Sequence, residues 1–167
     1  MRHDRRTSIA ALAAVLLTTL AASVAHASAA EAARGGGVQL TLPASWSKLA
    51  PARDPVDDPR TLLVIGTDGS RAIESNCQVA SYRVPADGAV IVVIGWRAGG
   101  GSFLPPLSAL KLRRGTFECF AGRGAAAHVS RRERDFQVSV MVGDKADAAT
   151  VAAALDAARS FGLSLRA

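Results

Sequence analysis

A continuous run of apolar residues in the middle of the chain constrains the fold more than any other feature. Residues 89–94 have the sequence AVIVVI, follow the turn sequence PADG and lead into Gly95 and Trp96. A strand with one exposed face shows a polar residue at every second position, whereas a strand buried on both faces does not. We therefore predict that residues 89–94 form the central strand of a sheet. The loops at its two ends, residues 85–88 and 98–102, are then candidate binding loops.

Shorter patterns before and after this run predict further strands. Residues 38–42 alternate apolar and polar side chains, which is typical of a half-buried strand, and residues 61–66 form a second apolar run. Residues 107–112 and 116–120 are expected to be an extended pair or one bulged strand. Together with the central run, these segments predict a sheet that is mainly antiparallel.

The last third of the chain predicts a hairpin followed by a helix. Residues 125–132 and 136–142 are separated by polar residues at positions 133–135, and the second segment alternates apolar and polar side chains. Asp147 is a suitable N-cap for a helix over residues 148–160, where apolar side chains recur at helical spacing. The predicted fold class is α+β, with a mainly antiparallel sheet of about five to seven strands and the C-terminal helix packed on one face.

The N-terminal segment has the organisation of a secretion signal. Its first residues are basic, residues 9–24 are mainly apolar, and Ala25 and Ala27 supply the small side chains that signal peptidase accepts. We predict a signal peptide over residues 1–27 and export, so that the protein is secreted or lies on the exterior of the cell envelope. The alternative is that the segment is not cleaved and anchors the protein in the membrane. We expect membrane contact only in that case.

The remaining chain fits one domain. Residues 28–37 are rich in alanine and glycine without periodicity, which favours a flexible tether, and residues 38–167 then form a single α+β domain. The whole sequence carries a net charge of +6, part of which lies in the signal segment. This excess is too small to identify a partner by itself.

Cys77 and Cys119 are the two cysteines of the sequence. In an exported protein, an even number of cysteines favours a disulfide. By the chain-entropy estimate, closing the loop between Cys77 and Cys119 in this way stabilises the folded state by roughly 4 kcal/mol. The alternative is two separate buried thiols. Neither cysteine has a C-x-x-C neighbour or a histidine at ligand spacing, so redox catalysis and zinc binding are poorly supported. We predict no cofactor and no metal.

His128 is the only histidine after the predicted cleavage site. On an alternating strand it shares a face with Ser130, but no G-x-S-x-G nucleophile turn is present, and two residues of one strand do not meet as a nucleophile and its base. We therefore predict no catalytic residue and no enzymatic activity. The alternative is an extracellular hydrolase with an unrecognised site around His128 and Glu118, which requires His128 in a deep pocket beside a carboxylate or a hydroxyl.

Basic residues outnumber acidic ones between positions 111 and 134. Neighbouring strands could gather them into one face that binds an anionic cell-surface polymer or an acidic protein. The candidate anion-binding residues are Arg113, Arg114, Arg131 and Arg132. No aromatic residues alternate with them as single-stranded nucleic-acid binding requires, so we expect no nucleic-acid partner. The alternative is a scatter of charges that keeps the protein soluble.

The order of short motifs resembles a family of small, uncharacterised secreted proteins of high-GC bacteria. The motifs are Leu42-Pro43-Ala44-Ser45-Trp46, Cys77, Pro85-Ala86-Asp87-Gly88, the run at 89–94, Glu118-Cys119-Phe120 and the C-terminal helix. In outline the layout is also similar to Mog1/PsbP-like α+β sandwiches. The first family supplies no catalytic residue, and Mog1/PsbP-like domains act mainly as binding or accessory modules. The resemblance therefore implies a secreted, non-enzymatic binding or accessory module.

Overall fold

A computed structural model describes residues 31–51, 56–74, 81–97, 103–117 and 120–164. The predicted signal peptide, both cysteines, Glu118 and the 98–102 loop lie outside these residues. Export, the disulfide and a site that uses Glu118 therefore stay predictions.

The described residues form an α+β fold that consists mostly of antiparallel strands, with one helix close to the C-terminus. The elements are β1 (Ala32–Gly35), β2 (Val38–Thr41), β3 (Ser47–Lys48), β4 (Arg60–Gly66), β5 (Arg71–Ile73), β6 (Ser81–Arg83), β7 (Ala89–Gly95), a 3₁₀ turn (Leu107–Ala109), β8 (Arg113–Phe117), β9 (Phe120–Arg131), β10 (Arg134–Val142), α1 (Ala148–Arg159) and β11 (Gly162–Leu163).

Six of these strands form the main sheet, in the order β3-β4-β7-β10-β9-β8. Every pairing in this sheet is antiparallel. The predicted number of strands and their antiparallel arrangement are therefore confirmed. The sequence did not predict the two small additional sheets, one of β1-β2-β11 and one of β5-β6. The predicted half-buried strand at 38–42 is confirmed as β2. The other strands of these sheets have two to four residues without a sustained alternation of apolar and polar side chains.

The strand β7 lies inside the main sheet and is buried along its whole length. Ala89, Ile91 and Val93 belong to one core cluster, and the residues between them, Val90 and Val92, belong to a second cluster. Alternate side chains of a strand point to opposite faces, so this division shows that both faces of β7 are covered. The prediction of a central strand buried on both faces is confirmed.

The larger cluster also receives side chains from α1. Ala154, Ala157 and Ala158 are buried and belong to the same cluster as Ile91 and Val138. Just after the helix, the ring of Phe161 lies 5.3 Å from the ring of Phe136, which is fully buried in β10.

The helix begins where the sequence predicts. The side chain of Asp147 accepts a hydrogen bond of 2.7 Å from the backbone N–H of Thr150, which is the expected N-cap contact. This contact lowers the pKa of Asp147 from its ordinary value of 3.8, because a hydrogen bond from a backbone N–H stabilises the ionised carboxylate. Gly162 does not end the helix, since the C-cap is Ser160 and Gly162 already belongs to β11.

The described part of the predicted tether is a strand. Within residues 28–37, β1 pairs with β2 from Ala32 opposite Thr41 to Gly35 opposite Val38. Gly36 and Gly37 form the turn between them with φ of 56° and 81°, a conformation that favours glycine. The sequence pattern does not predict β1, because the strand consists mainly of alanine and glycine and backbone pairing requires no particular side chains.

Two local predictions in the second half of the chain were wrong. The predicted extended segment at 107–112 contains the 3₁₀ turn instead, so the strand pair of this region is β8 with β9. The hairpin turn consists of Arg132 and Glu133, with φ of 49° and 61°, whereas Arg134 and Asp135 already belong to β10. Asparagine or glycine would normally mark such a turn, and neither is present.

Candidate functional site

The described surface contains an open cavity of about 350 Å³ lined mainly by arginine. Its lining residues are Leu112, Arg113, Arg114, Arg123 and Asp144, and we call it the arginine cavity. The antiparallel pairing of β8 with β9 explains why residues distant in sequence meet here, because it places Arg114 opposite Arg123 and Arg113 opposite Gly124. The cavity therefore lies beside β8, the last strand in the order of the main sheet.

Like charges directly opposite each other on neighbouring strands destabilise a sheet. Arg114 and Arg123 form such a pair. Asp144 partly compensates it, because one of its carboxylate oxygens lies 3.4 Å from a guanidinium nitrogen of Arg114. The two side chains are 73% and 64% exposed, so water screens their attraction and the pair contributes little to stability.

The remaining guanidinium groups of the cavity have no carboxylate within ion-pair distance in the described part of the chain. These groups belong to Arg113 and Arg123. The carboxylate of the cavity, Asp144, contacts Arg114 instead. A guanidinium group is planar, stays charged at all physiological pH values and presents N–H donors that match two oxygens of a carboxylate or phosphate. The arrangement can therefore bind an anion.

The loop that carries Asp144 is held by the turn that precedes the central strand. The backbone N–H of Gly143 donates to the carbonyl of Gly88 at 2.9 Å, and the N–H of Lys145 donates to the carbonyl of Ala86 at 2.7 Å. A side chain at Gly143 would meet the carbonyl oxygen of Pro85 at 2.1 Å, so only glycine allows this close approach. The turn at 85–88 thus lies behind the arginine cavity without lining it.

The structure brings together only part of the predicted anion-binding set. Arg113 and Arg114 line the cavity, together with Arg123. Arg131 and Arg132 lie at the opposite end of β9. At about 3.3 Å per residue, the strand between Arg123 and Arg131 is on the order of 25 Å long, so one small ligand cannot contact both groups. The register between β8 and β9, which places Arg123 in the site, leaves no signal in the sequence.

His128 belongs to a separate polar network on the β9–β10 hairpin. Its Nε2 lies 3.0 Å from Oδ1 of Asp135, and the hydroxyl of Ser130 donates to the same carboxylate oxygen. Asp135 is buried, with 8% of its surface exposed. The backbone N–H of His128 donates to the carbonyl of Pro105 at 3.0 Å. The network thus ties two strands and one connecting segment together.

The geometry of this network differs from that of a catalytic triad. In a triad the imidazole lies between the hydroxyl and the carboxylate, so that it can accept the hydroxyl proton. Here the carboxylate of Asp135 lies between His128 and Ser130. The sequence did not predict this pairing, because Asp135 was assigned to the turn. A short polar segment between two strands gives no indication of which of its residues belongs to a strand.

The described residues also bear on two other kinds of site. No group of three or more histidine, cysteine, aspartate or glutamate side chains is placed there to hold a metal ion. No helix in those residues is both long enough and apolar enough to span a bilayer.

Comparison with known proteins gives no relative. No family model matches the chain, and neither the curated proteins nor the solved structures contain a match.

Proposed function

We propose that the protein is an exported, non-enzymatic module that binds an anionic ligand in the arginine cavity. The observation that carries this proposal is the convergence of Arg113, Arg114 and Arg123 on one open cavity, with Asp144 as the single carboxylate among the lining residues. Surface arginines that serve solubility alone have no need to face a common cavity, and they are normally interspersed with acidic residues.

The ligand that fits best is an anionic polymer of the cell surface. The cavity is open and lies beside β8 at the end of the main sheet, so a chain can cross it without threading its end through an enclosed channel. Phosphate or carboxylate groups along such a polymer match the paired donors of the guanidinium groups. An acidic protein segment is the second candidate for the same chemistry, and we favour the polymer because it repeats the anionic group.

The finer features of the fold belong to this proposal. We take α1 to lie across one face of the main sheet, since its buried alanines share the larger core cluster with β7 and β10. A disulfide between Cys77 and Cys119 would add a covalent link between the segments before β7 and before β9. Both features would hold β8 and β9 rigidly, and a rigid site loses less conformational freedom when a ligand binds.

The alternative hydrolase has less support. It requires a base that can accept a proton from a nucleophile, but Ser130 donates to Asp135 and not to His128. The arginine cavity does not include His128 either.

Retention on phosphocellulose at low ionic strength tests the proposal. The test variant replaces Arg113, Arg114 and Arg123 with glutamine. The matched control replaces Arg71, Arg131 and Arg132, which changes the net charge by the same amount and leaves the cavity intact. Hydrogen bonds to charged groups contribute about 1.5–3 kcal/mol each, so even after screening by solvent we expect the test variant to bind at least about tenfold more weakly than the control.

The comparison between these two triple variants decides the result. Earlier elution of the test variant alone, at equal thermal stability, supports a localised site. Equal elution of both variants would show that net charge alone governs retention, and the proposal would then be wrong.

A further inference from the structure

We propose that Asp144 is an internal competitor that the ligand must displace from Arg114, and that the arginine cavity thereby favours multiply charged anions. This inference rests on the proposed function, because it concerns the selectivity of the same cavity. It assigns a specific role to the one acidic residue among its lining side chains.

The contact between Asp144 and Arg114 has the properties of an exchangeable pair. Its N–O distance of 3.4 Å exceeds the 2.7–2.9 Å of a strong charge-assisted hydrogen bond. Both side chains are mostly exposed, so an incoming anion reaches the guanidinium without opening the core. An exposed pair of this kind contributes little to stability, so a ligand with several contacts readily displaces it.

The backbone around Asp144 keeps the carboxylate near the cavity. Gly143 and Lys145, its two neighbours, donate backbone hydrogen bonds to Gly88 and Ala86. Ala146 donates a further one to the carbonyl of Gly143 at 3.1 Å. Because both sides of Asp144 are anchored, displacement requires only rotation of its side chain and not movement of the loop. The turn at 85–88 therefore acts on binding indirectly, by fixing this carboxylate.

The charge of the occupant follows from this arrangement. A ligand with one negative charge that displaces Asp144 exchanges one anion for another at Arg114 and gains little. A ligand with two or more anionic groups also contacts Arg113 or Arg123, which have no carboxylate partner among the described residues. Asp144 thus opposes every anion that contacts Arg114, and this cost is a larger share of the binding free energy of a singly charged anion than of a multiply charged one.

Titration calorimetry with sodium tripolyphosphate, and separately with sodium acetate, tests the inference at low ionic strength. We expect Asp144→Asn to bind tripolyphosphate about two- to fivefold more tightly than the unmodified protein, because it removes a competitor worth at most about 1 kcal/mol. We also expect this variant to bind acetate more tightly than the unmodified protein, by no more than the same factor. The matched control is Asp57→Asn, which removes a similarly exposed ion pair, that with Arg60 at 3.5 Å.

A second pair of variants shows whether Asp144 acts through Arg114. In an Arg114→Gln background, Asp144→Asn should give a smaller gain in tripolyphosphate affinity than in the unmodified protein. Asp144→Ser should reproduce the gain, since it also removes the carboxylate. A gain in Asp144→Asn alone would come from contacts of the asparagine side chain and would overturn the role of Asp144.

The outcomes separate the two proposals. An unchanged or weaker affinity of Asp144→Asn, with binding still dependent on the three arginines, would overturn the role of Asp144 and leave the proposed function intact. An equal gain from Asp57→Asn would also overturn it, since net charge would then explain the effect. If replacing the three arginines has no effect on tripolyphosphate binding, the proposed function fails and this inference fails with it.

Discussion

The two ends of β9 both carry arginines, but they differ in what surrounds these residues. At the Arg123 end, which we call the cavity end, β8 and the loop of Asp144 bring further charged residues to the arginine cavity. At the Arg131 end, which we call the turn end, the chain reverses in a two-residue turn. The arginine side chains there contact mainly residues close in sequence. Arg131 donates to the carbonyl of Ser130 at 2.9 Å, and Arg134 lies 5.1 Å from the centre of the Phe136 ring.

This difference shows that basic residues clustered in sequence line a common cavity only where separate elements converge. The turn end is organised by packing and by the buried Asp135 network, whereas the cavity end is organised by charge. We therefore expect substitutions at the turn end to change stability, and substitutions at the cavity end to change binding.

The largest effect on stability is expected from Phe136→Ala at the turn end. Phe136 is fully buried and contacts Phe161, so its truncation should lower the free energy of unfolding by about 3–5 kcal/mol. Urea denaturation measures this change. The exposed Phe103 provides the control, since Phe103→Ala should leave stability unchanged. If the folded Phe136→Ala protein also lost phosphocellulose binding, the two ends would not be independent.

Gly143→Ala should affect both stability and anion binding, because it perturbs the loop that carries Asp144. The new Cβ would meet the carbonyl oxygens of Pro85 and Ala86 at 2.1 and 2.3 Å, so the backbone must shift. We expect a loss of about 3 kcal/mol and an altered affinity for tripolyphosphate. Gly162→Ala is the matched control, since its nearest neighbour lies at 3.7 Å. Equal melting temperatures for the two variants would contradict the described anchoring of the loop.

Asp135→Ala should destabilise the turn end by about 2 kcal/mol, because His128 and Ser130 lose a shared acceptor. Thermal unfolding measures the loss, and tripolyphosphate affinity should remain unchanged. A catalytic role of this network would instead require a hydrolytic activity that disappears in the variant. Detection of such an activity in the unmodified protein would revive the hydrolase alternative.

The smallest effect concerns Asp147, which caps α1 close to the cavity loop. Its pKa is lowered by hydrogen bonds from Thr150, so its contribution to stability is present above the pKa of the unfolded chain and is lost as the pH falls through the folded value. The difference in melting temperature between the unmodified protein and Asp147→Ala should therefore be constant down to about pH 4 and decrease below it. A difference that persisted in stronger acid would show that the cap does not depend on the charge.

The sequence predicted the elements whose patterns reflect burial. The strand β7 and the alternation of β10 follow from the burial of their own side chains, and the start of α1 follows from the capping side chain of Asp147. The strand β1 was missed because alanine and glycine pair through the backbone without a pattern. The predicted turn at 133–135 was displaced from the observed one at Arg132 and Glu133, because these two residues adopt positive φ without glycine.

The candidate site was predictable only in part. Arg113 and Arg114 are adjacent in sequence and stand out in a basic segment. Arg123 and Asp144 join them through strand register and through a loop anchored to another turn, and both depend on contacts between distant residues. Composition therefore indicated a basic segment, but not which residues line the arginine cavity.

The burial of β7 also has a consequence for handling the protein. Its seven residues contain no charge and no proline and have high β-propensity, which is the composition of segments that form intermolecular sheets when exposed. Asp87 and Arg97 are the nearest charged residues on its two sides, and such flanking charges oppose aggregation. Variants that loosen the main sheet should therefore lose solubility as soon as they unfold, and refolding yield will depend on protein concentration.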